Sequence, residues 1–305
     1  MLPLYAALVK GLFAEEGLTV QGAAVDTRGA IEQGKTNWLQ VKTDKGLTEA
    51  DFGFLDVDQL HYMAAGKIGH YVVDGLNFGC MDVMVPVDST AASAADLKGK
   101  TVEINPWWVE PFRIQRGLTF VNSELKSSGV DAQKDVTLRP MPWEALPRIA
   151  DYVGEGFKTG KFQAVGVTEP QQTILKERKI AKVLFSQTYQ APYNQEYCCF
   201  LGIKREIVDR HPDRAAAIVR AFRRAKQWVT ENPARAVITT QAAGYYPAAV
   251  PVQAAARSLG DLGFDRKVDV GANLERAFKD RIDAGLIKTD KTPAELVRLH
   301  YRKFE

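Results

Sequence analysis

No stretch of this chain comes near the roughly 18 consecutive apolar residues that a membrane-spanning helix requires. No charged segment followed by a short apolar one opens it, so a secretory leader is not legible in these residues. Cysteine is scarce. Cys80, Cys198 and Cys199 are an odd number at spacings that fit no zinc pattern. Two of them are neighbours, which strains a mutual bond, so buried reduced thiols are the expectation. The four histidines, His61, His70, His211 and His300, are scattered without ligand spacing. Charge of one sign is also missing: 40 basic and 37 acidic residues leave a net charge of +3, with no basic run to hold a nucleic acid. The clusters at Lys204 and from Arg220 to Lys226 read as solvated helix faces.

Catalytic signatures are equally absent. There is no HExxH, GxSxG or EF-hand loop. The stretch "GEGFKTGK" (Gly154 to Lys161) imitates a phosphate-binding loop but has one residue too many between its glycines. Phe162 stands where a metal-binding hydroxyl is needed, and the stretch follows a helix pattern rather than a strand. No residue is assigned a catalytic role, and no cofactor or metal is expected.

What is there is an ordinary globular composition, 46% hydrophobic and 25% charged, in 305 residues, enough for one large domain or two lobes. Strand-like and helix-like patterns alternate. "ADFGFL", "KTVEI", "DVTLRPM", "FQAVGV" and "AKVLFS" read as strands, with helical patterns following most of them. This order predicts an α/β fold with mostly parallel sheets flanked by helices. From about Glu206 the pattern turns helical. Asn232 with Pro233 marks one helix start, and Thr292, Pro293 and Glu295 form a capping box at another. No Gly/Ser/Pro linker and no repeat divides the chain, so two lobes would be joined by more than one crossing. The two long β-rich runs "NFGCMDVMVPV" and "NQEYCCFLGIK" are the candidates. The predicted first lobe is residues 1–79 and 200–305, the second 82–188, with crossovers at 77–85 and 188–199 acting as a hinge. Parallel passage of the crossovers would bring Cys80 near one of the two later cysteines.

Taken in order, several of these pieces resemble the periplasmic substrate-binding proteins of ABC importers for nitrate, alkanesulfonates, taurine and thiamine-pyrimidine precursors. They are "PLYAALVKGLFAEEGLTV", "ADFGFLDVDQLHYMAAGK", "ADLKGKTVEI", "GKFQAVGVTEP" (with Gln163 where aspartate is usual) and "KREIVDRHPDRAAAIVRAFRRAKQWVTENP". The resemblance covers nearly the whole chain. It implies a two-lobed periplasmic-binding-protein-like fold that captures a small molecule and passes it to a membrane permease. It also implies a periplasmic location, or a lipid anchor at the outer membrane face, and a monomer that binds no nucleic acid. The chain opens inside a helix, so the family's first strand is expected to lie upstream of Met1. The alternative is an enzyme on the same scaffold, a decarboxylase or a pyrimidine-precursor synthase, which would be cytoplasmic.

In such a fold the ligand faces strand C-termini and helix N-termini. The positions that satisfy this are Tyr5, Phe54, Asp56, Asn77, Trp107, Trp108, Glu169, Tyr189 and Tyr193. Trp107 and Trp108 stand in "NPWWVEPF", where Pro106 and Pro111 remove backbone donors and Glu110 adds negative charge. That argues against a simple anion and for an aromatic or heterocyclic ligand, cations included, stacked on indole. Packing of both indoles between helix and sheet is the other reading, and Asp56 equally serves as a helix N-cap.

Overall fold

Alternation along β-strands decides which residues meet. The computed structural model describes residues 2–22, 38–43, 46–47, 52–106, 116–283 and 285–305. In chain order its strands are β1 (Val20–Gly22), β2 (Trp38–Thr43), β3 (Gly46–Leu47), β4 (Phe52–Asp56) and β5 (His70–Phe78). Next come β6 (Met81–Pro86), β7 (Thr101–Ile104), β8 (Thr137–Pro140), β9 (Ala164–Thr168), β10 (Ala181–Ser186) and β11 (Tyr197–Lys204). The chain divides into two units. One holds Met1–Phe78, Glu196–Ala248 and Leu259–Glu305; the other holds Gly79–Gln195 and Ala249–Ser258.

The first unit carries a sheet in the order β1-β2-β4-β11-β5, with β3 beside β2. Leu55, Val72, Phe78, Tyr197 and Phe200 from the strands pack with Phe278 and Leu296 from the helices Val270–Asp283 and Pro293–His300. The long helix Pro212–Glu231 packs against the opening helix Leu2–Val9. The second unit carries the order β10-β6-β9-β7-β8. Met81, Val83 and Val85 of β6 enter one core with Val102, Ile104, Phe120 and Leu125, while Met84 enters the other with Ile149, Val153, Phe162, Val165 and Val167. That is the two-residue period of a strand covered on both faces.

The chain is α/β, but its pairing is mixed rather than mostly parallel. Only β7–β8 and β7–β9 pair in parallel; the other described ladders are antiparallel. Three of the antiparallel ladders join β2 to β1, β3 and β4, and the other four come from one inserted strand in each sheet. β6 lies antiparallel between β9 and β10, and β11 antiparallel between β4 and β5. A β-then-α succession forecasts direction, not which later strand slips between.

Three other expectations change. Residues 249–258, assigned by sequence to the first lobe, belong with the second unit, where Arg257 pairs with Glu177 at 3.1 Å and Ser258 donates to Glu169. The helical pattern "WEALPRIADYVGEGF" that follows "DVTLRPM" predicts a helix from Trp143, but it begins as a tight turn, Trp143–Arg148, containing Pro147, and becomes α-helical only at Ile149. Cys80 and Cys198 are disulfide-bonded rather than reduced, and Cys199 is buried and outside any disulfide. An odd count leaves one thiol over in any case, so composition could not choose. Among the described residues no helix is long and apolar enough to cross a membrane.

Candidate functional site

In the first unit, two of the candidate residues, Asp56 and Asn77, gather at one end of the central strands. Asp56 ends β4, and strand register sets it opposite Cys199 of β11, which in turn lies opposite Asn77 of β5. Three neighbouring strands therefore bring Asp56, Cys199 and Asn77 abreast. Asn77 is buried and Asp56 half-buried. Phe54, also half-buried, stands opposite Leu201. As for capping, Asp56 donates its own backbone N–H to Gln59 Oε1 at 3.0 Å, and Gln59 is the residue that precedes the short helix Leu60–Ala64. Tyr5, in the opening helix, lies flat on Tyr245, with ring centres 4.6 Å apart and planes 12° from parallel. Burial first, and then the neighbouring Tyr245 phenol, push the Tyr5 hydroxyl up to about 12.

In the second unit, Glu169 follows directly on β9. Its Oε1 accepts from Gln172 Nε2 at 2.9 Å, from Thr173 Oγ1 at 2.7 Å and from Ser258 Oγ. Gln172 and Thr173 reach it because the helix Gln171–Glu177 places its first residues three and four positions on. Ser258 comes from the returning segment. The second carboxylate oxygen, Oε2, is buried and has no hydrogen-bond partner, and neither has Gln172 Oε1. Among the described residues Glu169 makes no ion pair.

Tyr189 sits on the turn after β10. That turn is held by Ser186, whose backbone N–H donates to Gln190 Oε1 at 2.6 Å and whose hydroxyl accepts from Thr188 N at 3.0 Å. Ser186 Oγ in turn donates to the fully buried Asp82 at 2.5 Å, and Lys176 reaches the other oxygen of Asp82 at 3.3 Å. Gly79 permits the close approach beneath this turn. It adopts φ +60°, and a Cβ there would lie 2.5 Å from the Thr188 backbone. Met81 of β6 pairs with Thr168 on one side and accepts from Gln187 N on the other. Glu169 and Thr188 each follow directly on the residue that pairs with Met81, on opposite sides of β6.

The sequence-predicted residues fare differently. Asp56 and Asn77 come together around Cys199, and Glu169 becomes a polar hub. Tyr189 is 55% exposed. Tyr193 is partly buried and packs edge-on against Phe120, with ring centres 4.8 Å apart, beside the hydrophobic core. Trp107 and Trp108 lie outside the described residues; β7 ends at Ile104, and Asn105 after it is buried, donating its backbone N–H to Gly166. Sequence reading missed Gln172 and Thr173, although the spacing in "EPQQT" could have flagged them. It also missed Tyr245 and Ser258, which no local pattern ties to Tyr5 or Glu169.

Three solved structures show the same fold. The alkanesulfonate-binding protein SsuA from Xanthomonas axonopodis pv. citri, bound to MOPS, is 16% identical with TM-score 0.63, covering 84% of this chain and 81% of that one. The periplasmic nitrate-binding protein NrtA from Synechocystis PCC 6803 is 15% identical with TM-score 0.66, over 99% and 83%. A mutant of the desulfurization enzyme DszB in complex with biphenyl-2-sulfinic acid is 16% identical with TM-score 0.67, over 97% and 92%. A comparison with curated protein sequences gives no match. The model of the NMT1-like family matches residues 1–243.

Proposed function

The chain belongs to the NMT1-like family, and on that premise we propose that it is the solute-binding component of an ABC-type importer, working by capture and release of a small organic molecule rather than by chemistry. The observation that carries this reading is the strand insertion. A chain that enters and re-enters two α/β units, each with one inserted antiparallel strand, has the fold of the sulfonate- and nitrate-binding neighbours. Its partners are then a small ligand and a membrane permease. The ligand is an aromatic or heterocyclic compound, and Tyr5, Phe54, Asp56, Asn77, Trp107, Trp108, Glu169, Tyr189 and Tyr193 are proposed to contact it. A periplasmic or outer-face location agrees with the disulfide-bonded Cys80 and Cys198, since such bonds persist in oxidising compartments.

An enzymatic reading has one specific support, the likeness to DszB. A single experiment separates the two. The protein is screened by thermal shift against small aromatics, sulfonates, pyrimidines and amines, and every compound that raises Tm is then incubated with it and followed by mass spectrometry. Solute binding predicts a concentration-dependent rise of several degrees with the compound recovered unchanged. Conversion of the bound compound would establish the enzyme instead.

A further inference from the structure

Glu169 is oriented by three donors on one oxygen and left bare on the other. All three are neutral: an amide and two hydroxyls. They fix the carboxylate without cancelling its charge. The bare Oε2 is buried, and so is Oε1 of Gln172, a residue only 3% exposed. The amide cannot be turned round to relieve this, because its oxygen would then face Glu169 Oε1, acceptor against acceptor. The two groups are joined by the Gln172 Nε2–Glu169 Oε1 hydrogen bond, and each keeps a buried acceptor for which the described residues supply no donor. Buried acceptors of this kind are rare in folded proteins, and each favours a partner from outside.

From this we infer that the second unit is built to receive a cationic N–H donor, an ammonium or amidinium group of the ligand, between Glu169 Oε2 and Gln172 Oε1. This rests on the solute-binding reading and narrows it. A sulfonate, sulfinate or nitrate brings only acceptors and a like charge. An ammonium or amidinium brings both the missing donors and the missing charge, and such charge-assisted bonds are the stronger kind. The chain thereby selects ligands of the opposite sign to those named for its structural neighbours.

The test uses the whole chain and four ring compounds of similar size: benzamidinium, benzylammonium, benzoate and benzenesulfonate, titrated calorimetrically. The expected result is binding of at least one cation ten times or more tighter than either anion, lost at least tenfold in Glu169→Gln. Asp151→Asn makes the same charge change at an exposed position and is expected to keep the affinity. Gln172→Leu is expected to weaken the cation several-fold, and decides the matter if Glu169→Gln does not fold. Equal cation affinity in Glu169→Gln, or tighter binding of the anions, overturns the inference while leaving solute binding intact. So does silence from all four probes when other compounds of the thermal-shift panel bind; in that case water alone fills the slot. If no compound of any class binds, both readings fall together.

Discussion

Asp74 in the first unit and Glu169 in the second are both carboxylates drawn in from the surface, yet the chain treats them in opposite ways. Asp74, 8% exposed, receives Arg223 Nε at 2.6 Å and lies 3.6 Å from Lys226 Nζ, which also donates to Gly75 O at 2.6 Å. Arg223 goes on to the Phe304 carbonyl. Cation, anion and backbone close on one another, and nothing is left to bind. Glu169 receives neutral donors only, all on one side. A carboxylate whose countercharge is built in ties helix to strand; one whose countercharge is missing holds a place open. Glu103, 2% exposed between Arg139 at 2.9 Å and Tyr152 at 2.6 Å, shows that the second unit can also build the closed kind.

The contrast breaks most visibly by neutralising each acid. Asp74→Asn leaves the buried Lys226 and the partly exposed Arg223 without their anion, and is expected to cost roughly 3 kcal/mol in urea unfolding. Glu169→Gln is expected to cost less than about 1 kcal/mol, because the three donors keep an oxygen to bond. Equal losses would erase the distinction. Next in size is Gly79→Ala, expected to destabilise by roughly 2–3 kcal/mol, since the new Cβ meets backbone at Thr188 and the backbone there is left-handed. The loss should appear in the second unit, read by hydrogen exchange of β6 and β10, with β4 and β5 of the first unit unmoved.

Of similar size is a pH effect confined to the first unit. His300 is held down to about 4, first by burial and then by the Arg205 guanidinium, which donates to its Nδ1 at 2.8 Å. Between pH 6.5 and 4 the unfolded chain takes up a proton that the folded one refuses, so stability is full above 6.5 and falls on acidification, by roughly 2–3 kcal/mol. His300→Gln should flatten that part of the stability–pH curve; an unchanged slope would assign it to other groups. Least in energy is a thiol count. Denatured without reductant, the protein should show one titratable thiol, and three after reduction. Three before reduction would refute the bond.

How far the sequence reached depends on whether the governing interaction is local. "TVEI" and "AKVLFS" are the strands β7 and β10 as read, and Thr292 with Glu295 forms the expected reciprocal cap, with bonds of 2.8 and 3.3 Å. Asn232 precedes its helix as read, but its side chain turns back to the Trp228 carbonyl of the helix before. The insertion of β6 and β11, the tyrosine on top of Tyr5 and the serine on Glu169 depend on partners dozens of residues away or more, to which periodicity is blind. Glu169 was legible as a candidate because it follows a strand. Its bare oxygen was not, since that depends on where Ser258 arrives.

The returning segment 249–258 also sets an order of assembly. As the chain leaves the ribosome, residues 79–195 follow the opening segment of the first unit, and residues 196–248 then go to that other unit before Ser258 appears. Glu169 therefore waits for its third donor through the synthesis of a stretch that belongs elsewhere. A nascent chain halted after Gln195 would contain every strand of the second sheet and still lack the hydroxyl that completes the grip on Glu169 Oε1. The polar hub is one of the last features of that unit to be made.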